Sequence, residues 1–300
     1  MRALVISGGG SKGAFAGGVA EYLMKVEQYE YDLFLGSSTG SLLIPHLSLG
    51  KISKVKSIYT NVNQRKIFSL NPFVKRKKDN REYVTINYLN TVLQFIKRKR
   101  TFGESKNLRK TILKCFSEQE FEAIKSSSKD IIVTVSNLTK NDVEYKSIYD
   151  FEYLDFVDWI WISCNLVPFM SLVNKNNFDY ADGGLGSMVP IREAIRRGAT
   201  EIDAIILEAE SMEHNTVLGK NPFSLMMNLF GFMLHQVENQ DIREGILASK
   251  HNGVKLNLYY TPSKLTENSL IFDKKLMTQW WQDGYNYAKN RKAENRLVYD

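Results

Sequence analysis

The run Ala3-Leu4-Val5-Ile6 leads directly into Gly8-Gly9-Gly10-Ser11-Lys12-Gly13, and Leu33-Phe34-Leu35 leads into Gly36-Ser37-Ser38-Thr39-Gly40. Each is a short apolar strand followed by a glycine-framed turn. Between them Phe15, Val19, Tyr22, Leu23 and Val26 recur at helical spacing, which predicts a helix over 12–27. Strands at 2–7 and 31–36 joined by that helix form a βαβ unit, so the chain opens as an α/β fold with a parallel sheet and a right-handed crossover. The second turn reads G-x-S-x-G, the elbow that lifts a serine above the sheet. Its backbone is strained, and only small residues fit two positions before and after the serine. Gly36 and Gly40 meet that need for Ser38; Ser37 lacks the frame. Ser38 is therefore the candidate nucleophile. The N–H groups of the first loop suit a developing negative charge.

The first loop has a competing reading. Gly8, Gly10 and Gly13 also satisfy G-x-G-x-x-G, the dinucleotide fingerprint. That motif wants an acid near the end of the second strand to hold a ribose. Asp32 instead begins that strand, which ends in Gly36-Ser37-Ser38. No Gly-Lys-Ser/Thr follows, so the loop is not a Walker A loop either. A nucleotide-binding protein using Gly8–Gly13 is an alternative that leaves the elbow without a purpose. An acyl-transfer site uses both turns, with the Gly9 and Gly10 amides as oxyanion donors.

Three hundred residues with 43% hydrophobic content can bury a sizeable core. The net charge of +7 is uneven. Arg65 to Arg81 holds seven basic residues, and Lys97-Arg98-Lys99-Arg100 forms a second cluster. Such runs are commonly solvated faces. Their functional reading is a peripheral contact with an anionic membrane surface, worth about 1 kcal/mol per basic residue close to it. No nucleic-acid motif accompanies them, so nucleic acid is not an expected partner. Cys115 and Cys164 are too few for a disulfide scaffold or a four-cysteine zinc site, and two free thiols suit a reducing cytoplasm. A secretory leader is not expected, because its removal would take the loop at Gly8 with it. No apolar run reaches the roughly 18–20 residues of a membrane span. The longest, Phe223 to Leu234, is interrupted by Asn228 and is expected to be a buried helix rather than an interfacial anchor.

Pro45 falls within the helix expected after Ser38 and should kink or end it. Residues 46–126 are basic, read as mainly helical and poor in strand signal, and are expected to form a cap or insertion. Strands are expected at 130–136, 143–149, 169–173, 178–180, 202–207 and 254–260, with an Asn-rich turn at Asn174–Asn177. Helices are expected at 151–164, 191–197 and 276–289. With no internal repeat and no linker, one domain over 1–300 is the simplest organisation.

A serine nucleophile needs a base. His46, His214, His235 and His251 lie in no motif, although an order Ser38, Asp182, His251 can be drawn. Asp182 follows a short strand in Tyr180-Ala181-Asp182-Gly183-Gly184. It can act as a base if burial raises its pKa. On its own an Asp-Gly turn is a weak signal.

Taken in order, Gly8–Gly13, Gly36-Ser37-Ser38-Thr39-Gly40 and Asp182-Gly183-Gly184 resemble the patatin-like phospholipase family. Ser163-Cys164-Asn165-Leu166-Val167-Pro168-Phe169 resembles the small-residue stretch before the family's Asp strand, with Cys164 and Asn165 where Ala and Ser are usual. Val189-Pro190, the helix to Gly198 and the strand before Thr261-Pro262 extend the likeness. The resemblance implies a three-layer α/β/α fold with a mainly parallel sheet. It implies a Ser-Asp dyad without histidine, with Ser38 as nucleophile and Asp182 as general base, and no metal or cofactor. The amides of Gly9, Gly10 and Ser11 would bind the oxyanion, and Lys12 stands where the family has Lys or Arg. The implied reaction is hydrolysis of a fatty-acyl ester, of a phospholipid or lysophospholipid; transfer of the acyl group to another acceptor uses the same site.

Overall fold

The computed structural model describes residues 1–78, 81–210, 222–266 and 268–299. The chain opens as the sequence requires, with β1 (Arg2–Ile6), α1 (Gly13–Lys25), β2 (Leu33–Ser37) and α2 (Thr39–Ser48). α2 runs one turn beyond Pro45, and the Ser48 hydroxyl bonds the Pro45 carbonyl at 2.9 Å near its end. Then come α3 (Ile52–Thr60), α4 (Gln64–Ile67), β3 (Phe73–Lys78), β4 (Arg81–Ile86), α5 (Tyr88–Ile96), α6 (Lys106–Cys115) and α7 (Glu118–Lys125). β5 (Asp130–Asn137), β6 (Asp142–Ser147), α8 (Tyr153–Ser163), β7 (Val173–Lys175), β8 (Phe178–Asp182) and α9 (Ile191–Arg196) return to the sheet. β9 (Glu201–Ala209), α10 (Pro222–Asn252), β10 (Lys255–Thr261) and α11 (Lys274–Tyr299) complete the fold.

The main sheet runs β10-β9-β1-β2-β5-β8-β7, with β6 also paired to β5. β10, β9, β1, β2 and β5 are parallel, whereas β6 and β8 run antiparallel to β5 and β7 runs antiparallel to β8. Alternate residues serve opposite faces, as the pleat demands. Leu4, Ile6, Phe34, Ile131 and Val133 join a core with residues of α1, α2, α8 and α11. Ala3, Val5, Leu33, Leu35 and Ile132 join a second core with Ile191, Ala194 and Ile242 of α9 and α10. This is the expected α/β/α sandwich. Among the described residues, no helix is long and apolar enough to cross a membrane.

Three expectations change. Residues 46–126 are not uniformly helical, because β3 and β4 form an antiparallel hairpin with Phe73 facing Ile86 and Lys78 facing Arg81. The run Tyr83-Val84-Thr85-Ile86 has the β-branched and aromatic content of a strand, a signal masked by the surrounding charge. No strand forms at Phe169. Phe169 and Met170 donate their amides to the Leu166 carbonyl in a turn, and β7 begins at Val173. The expected Asn turn is present, with Asn176 and Asn177 at φ 53° and 65°. Finally, the segment expected as a buried helix near Phe223–Leu234 is the first part of α10, and Leu225, Met226, Leu229, Phe232 and Met233 are exposed.

Strand register brings two distant turns together at β5. β2 pairs with Asp130–Thr134, ending at Ser37 opposite Thr134. β8 pairs with Val135–Asn137 from the opposite direction, ending at Asp182 opposite Val135. β6 pairs along Ile132–Asn137 and overlaps both ranges, so it occupies the other edge. β2 and β8 therefore share one edge of β5 and stop end to end. Ser38 and Asp182, 144 residues apart in sequence, meet at that seam.

Candidate active site

Ser38 has φ 51° and ψ −117°, between the end of β2 and the start of α2. A residue with a Cβ is rarely found there, and such strain costs about 1–3 kcal/mol unless the surroundings enforce it. Here they do. The Ser38 amide donates to Ser163 Oγ at 3.0 Å, and the Cys164 thiol donates to the Ser38 carbonyl at 3.0 Å. Ser163 Oγ lies 2.9 Å from Ser41 Oγ, which donates to the Gly36 carbonyl at 2.8 Å. The sharp turn also presses backbone on backbone. A Cβ on Gly36 would lie 2.4 Å from the Gly40 carbonyl carbon, and one on Gly40 would lie 2.2 Å from the Ile6 carbonyl oxygen.

Ser38 Oγ donates to Asp182 Oδ2 at 2.7 Å, and the Gly184 amide donates to Asp182 Oδ1 at 2.8 Å. The Asp182 amide donates to the Asn165 carbonyl at 2.9 Å. The end of α8 thus braces both members of the pair through consecutive residues. Asp182 is 2% exposed, and burial pushes its carboxyl up to about 7, against the opposing effect of the bonds from Ser38 and Gly184. A carboxylate poised near neutrality and already bonded to the hydroxyl can take its proton.

The first glycine loop lies against this pair. Gly8 approaches Ser38 and Met188, and its amide donates to the Met188 carbonyl at 3.2 Å. The Ser37 hydroxyl donates to the Ser187 carbonyl at 2.7 Å, so the strap after Asp182 is tied to both turns. Gly183 sits over the Thr134 carbonyl of β5, and Gly13 starts α1 beside Thr39 and Tyr59. The Gly10–Ser11 peptide is held from both sides. Tyr59 Oη donates to the Gly10 carbonyl at 2.5 Å, and the Ser11 amide donates to the Ser269 carbonyl at 2.8 Å. Gly10 has φ 55° and lies so close to Ser269 that a side chain would collide with its carbonyl. The expectation for Ser11 therefore needs correction: its amide is already engaged. The Gly9 and Gly10 amides donate to no acceptor among the described residues, which leaves these two for a negative charge.

Ser38 stands where two cavities meet. One is almost wholly apolar, with walls that include Leu42, Val55, Ile58, Ile112, Phe116 and Met170. The other also borders Asp182 and Gly8–Gly10, and is edged by Lys12, Glu208, His235, Glu238 and Lys264. Lys12, which is buried, forms an ion pair with Glu208. Burial pushes the Glu238 carboxyl up to about 8 despite Lys12. Asp241, pushed up by burial to about 6, accepts the Val189 amide at 2.8 Å and anchors α10 to the strap.

Among the described residues, no histidine bonds to Ser38 or Asp182. His46 is buried, with Nε2 3.0 Å from the Cys115 carbonyl. His235 edges the polar cavity and His251 is exposed near the end of α10, while His214 lies outside the described residues. Among the described residues no cluster of side chains suits a metal ion. Sequence reasoning missed Tyr59 and Ser269, and saw Ser163–Asn165 only as part of a resemblance.

The model of the family described as patatin-like phospholipase matches residues 4–195, more than half of the chain. The chain belongs to that family, a family of lipid acyl hydrolases. Among solved structures, VipD from Legionella pneumophila is similar at a TM-score of 0.53 and 13% identity; the match covers 96% of this chain and 66% of that one, and shows a shared fold. No curated protein matches the sequence.

Proposed function

We infer that the protein is a serine acyl hydrolase that cleaves a fatty-acyl ester of a phospholipid or lysophospholipid through Ser38 and Asp182. The observation that carries this reading is the 2.7 Å bond from Ser38 Oγ to a buried carboxylate, at the meeting point of an apolar and a polar cavity. An ester of a long acyl chain and a charged alcohol has these same two halves. The acyl chain enters the apolar cavity and the alcohol side occupies the polar one.

Ser38 Oγ attacks the ester carbonyl carbon as Asp182 Oδ2 takes its proton. The carbonyl oxygen becomes an oxyanion that accepts from the Gly9 and Gly10 amides; one such donor typically contributes about 10²–10³ in rate. Collapse expels the alcohol oxygen, which recovers the proton from Asp182, and leaves an ester on Ser38. Water then gives a proton to Asp182 and attacks that ester. The second tetrahedral species collapses to free fatty acid, and Ser38 Oγ regains its proton. Deacylation by a different alcohol would make the same site an acyltransferase.

The test measures fatty acid released from phospholipid vesicles, with labelling by a fluorophosphonate. Ser38→Ala should abolish both, and Asp182→Asn should lower turnover by about 10³ or more. Equal rates in the wild type and Ser38→Ala overturn the reading. An acylated acceptor in place of free acid, with labelling at Ser38 intact, reassigns the reaction to acyl transfer.

A further inference from the structure

The first half of α10 is apolar on two faces. Met227, Gly231 and Leu234 line the polar cavity at Ser38, together with Asn228, His235 and Glu238. On the outer face Leu225, Met226, Leu229, Phe232 and Met233 are 38–63% exposed. A surface helix ordinarily turns its polar side to water, and this one turns apolar side chains to solvent while other residues of the same helix line the cavity at Ser38. α5 does the same. Its nine residues, YLNTVLQFI, contain no charge, and Tyr88, Leu89, Val92, Leu93, Phe95 and Ile96 are 46–79% exposed.

These two faces belong together. Phe95 packs on Phe102 at 6.3 Å between ring centroids, Phe102 on Phe169 at 6.1 Å, and Phe169 on Phe230 of α10 at 5.8 Å. A continuous row of aromatic rings thus connects α5 to α10. Directly after α5 comes Lys97-Arg98-Lys99-Arg100, with all four side chains exposed. Lys99 and Arg100 reach Glu104 and Asp179, while Lys97 and Arg98 form no ion pair among the described residues.

We propose that α5 and the first half of α10 form a docking surface for an anionic lipid bilayer, seated so that the catalytic cavity opens toward it. Two apolar helix faces bordered by a cationic run have the composition of an interfacial contact, in which apolar side chains enter the headgroup boundary and basic ones meet lipid charge. A second copy of the chain fits less well. A two-fold contact through this surface would bring two such basic runs into one interface. The inference deepens the hydrolase reading but stands on separate observations, since docking requires no turnover.

The experiment uses the full chain with Ser38→Ala, so that binding is read without hydrolysis. Sedimentation is measured with vesicles of equal parts phosphatidylcholine and phosphatidylserine, and with phosphatidylcholine alone. The expected result is binding that favours the anionic vesicles and falls at least about tenfold in Leu89→Glu/Ile96→Glu, in Leu229→Glu/Met233→Glu and in Lys97→Glu/Arg98→Glu. The same substitutions in the chain with Ser38 intact should leave cleavage of a soluble short-chain nitrophenyl ester unchanged, which shows that they fold. Unaltered binding in the helix-face variants overturns the proposal. So does a dimer in solution that these variants dissociate, without vesicle binding by the parent. Vesicle binding without fluorophosphonate labelling at Ser38 would defeat the hydrolase reading and leave the docking surface standing.

Discussion

Asp182 carries opposite demands on reactivity and stability. Burial pushes its carboxyl up to about 7, so, with Asp182 as the proposed base, kcat/KM should rise with pH through that value and level off above it. A profile flat between about pH 5 and about pH 8 would remove Asp182 from the role of base. The stability effect has the opposite sign. The folded state holds the proton more tightly than the unfolded chain, so ionisation costs stability as pH rises from the unfolded value toward the folded one. Asp182→Asn should therefore unfold at higher urea than the wild type, by a margin on the order of a few kcal/mol at about pH 8 that narrows toward about pH 5. Tyr59 acts less directly. Burial pushes its phenol up, so it stays protonated and fixes the Gly10 carbonyl beside the proposed oxyanion donors. Tyr59→Phe should lower kcat about tenfold with little change in KM, a split seen when an interaction matters mainly in the transition state. Ser38 and Asp182 were legible because glycines frame them. Tyr59 was not, since a tyrosine in a basic stretch has no motif and its partner lies 49 residues away.

Among the elements, the parallel β1-β2 unit was legible from two short apolar runs, whereas the seam on β5 was not. It depends on three strands pairing in overlapping ranges, and one sequence does not state which edge of β5 each will take. The β3–β4 hairpin was hidden by charge. The outer face of α10 was not legible either, because an apolar run does not state which of its side chains will meet the core. Gly40, in the first turn of α2, lies so close to the end of β1 that a Cβ on it would meet the Ile6 carbonyl oxygen. Gly40→Ala should therefore push α2 off β1 and cost about 2–4 kcal/mol in denaturant unfolding, with loss of Ser38 labelling near the midpoint.

At the scale of the whole molecule, the +7 charge was legible from composition, but its use was not. Composition did not place the basic run beside two exposed apolar helices. Vesicle binding should accordingly keep an apolar share at about 1 M salt, where screening removes most of the attraction to exposed charge. The site is also spread along the chain in a particular order. Ser38 lies near the start, Asp182 follows 144 residues later, and the Ser269 carbonyl that fixes the Gly10–Ser11 peptide comes later still. At ribosomal speeds the gap between Ser38 and Asp182 alone takes on the order of ten seconds. For that interval the emerging polypeptide carries a serine with no proton acceptor, and nascent chains stalled before Asp182 should resist the fluorophosphonate that marks the finished protein. If Ser38 and Asp182 act as the proposed dyad, hydrolysis begins only once the second of them has been made.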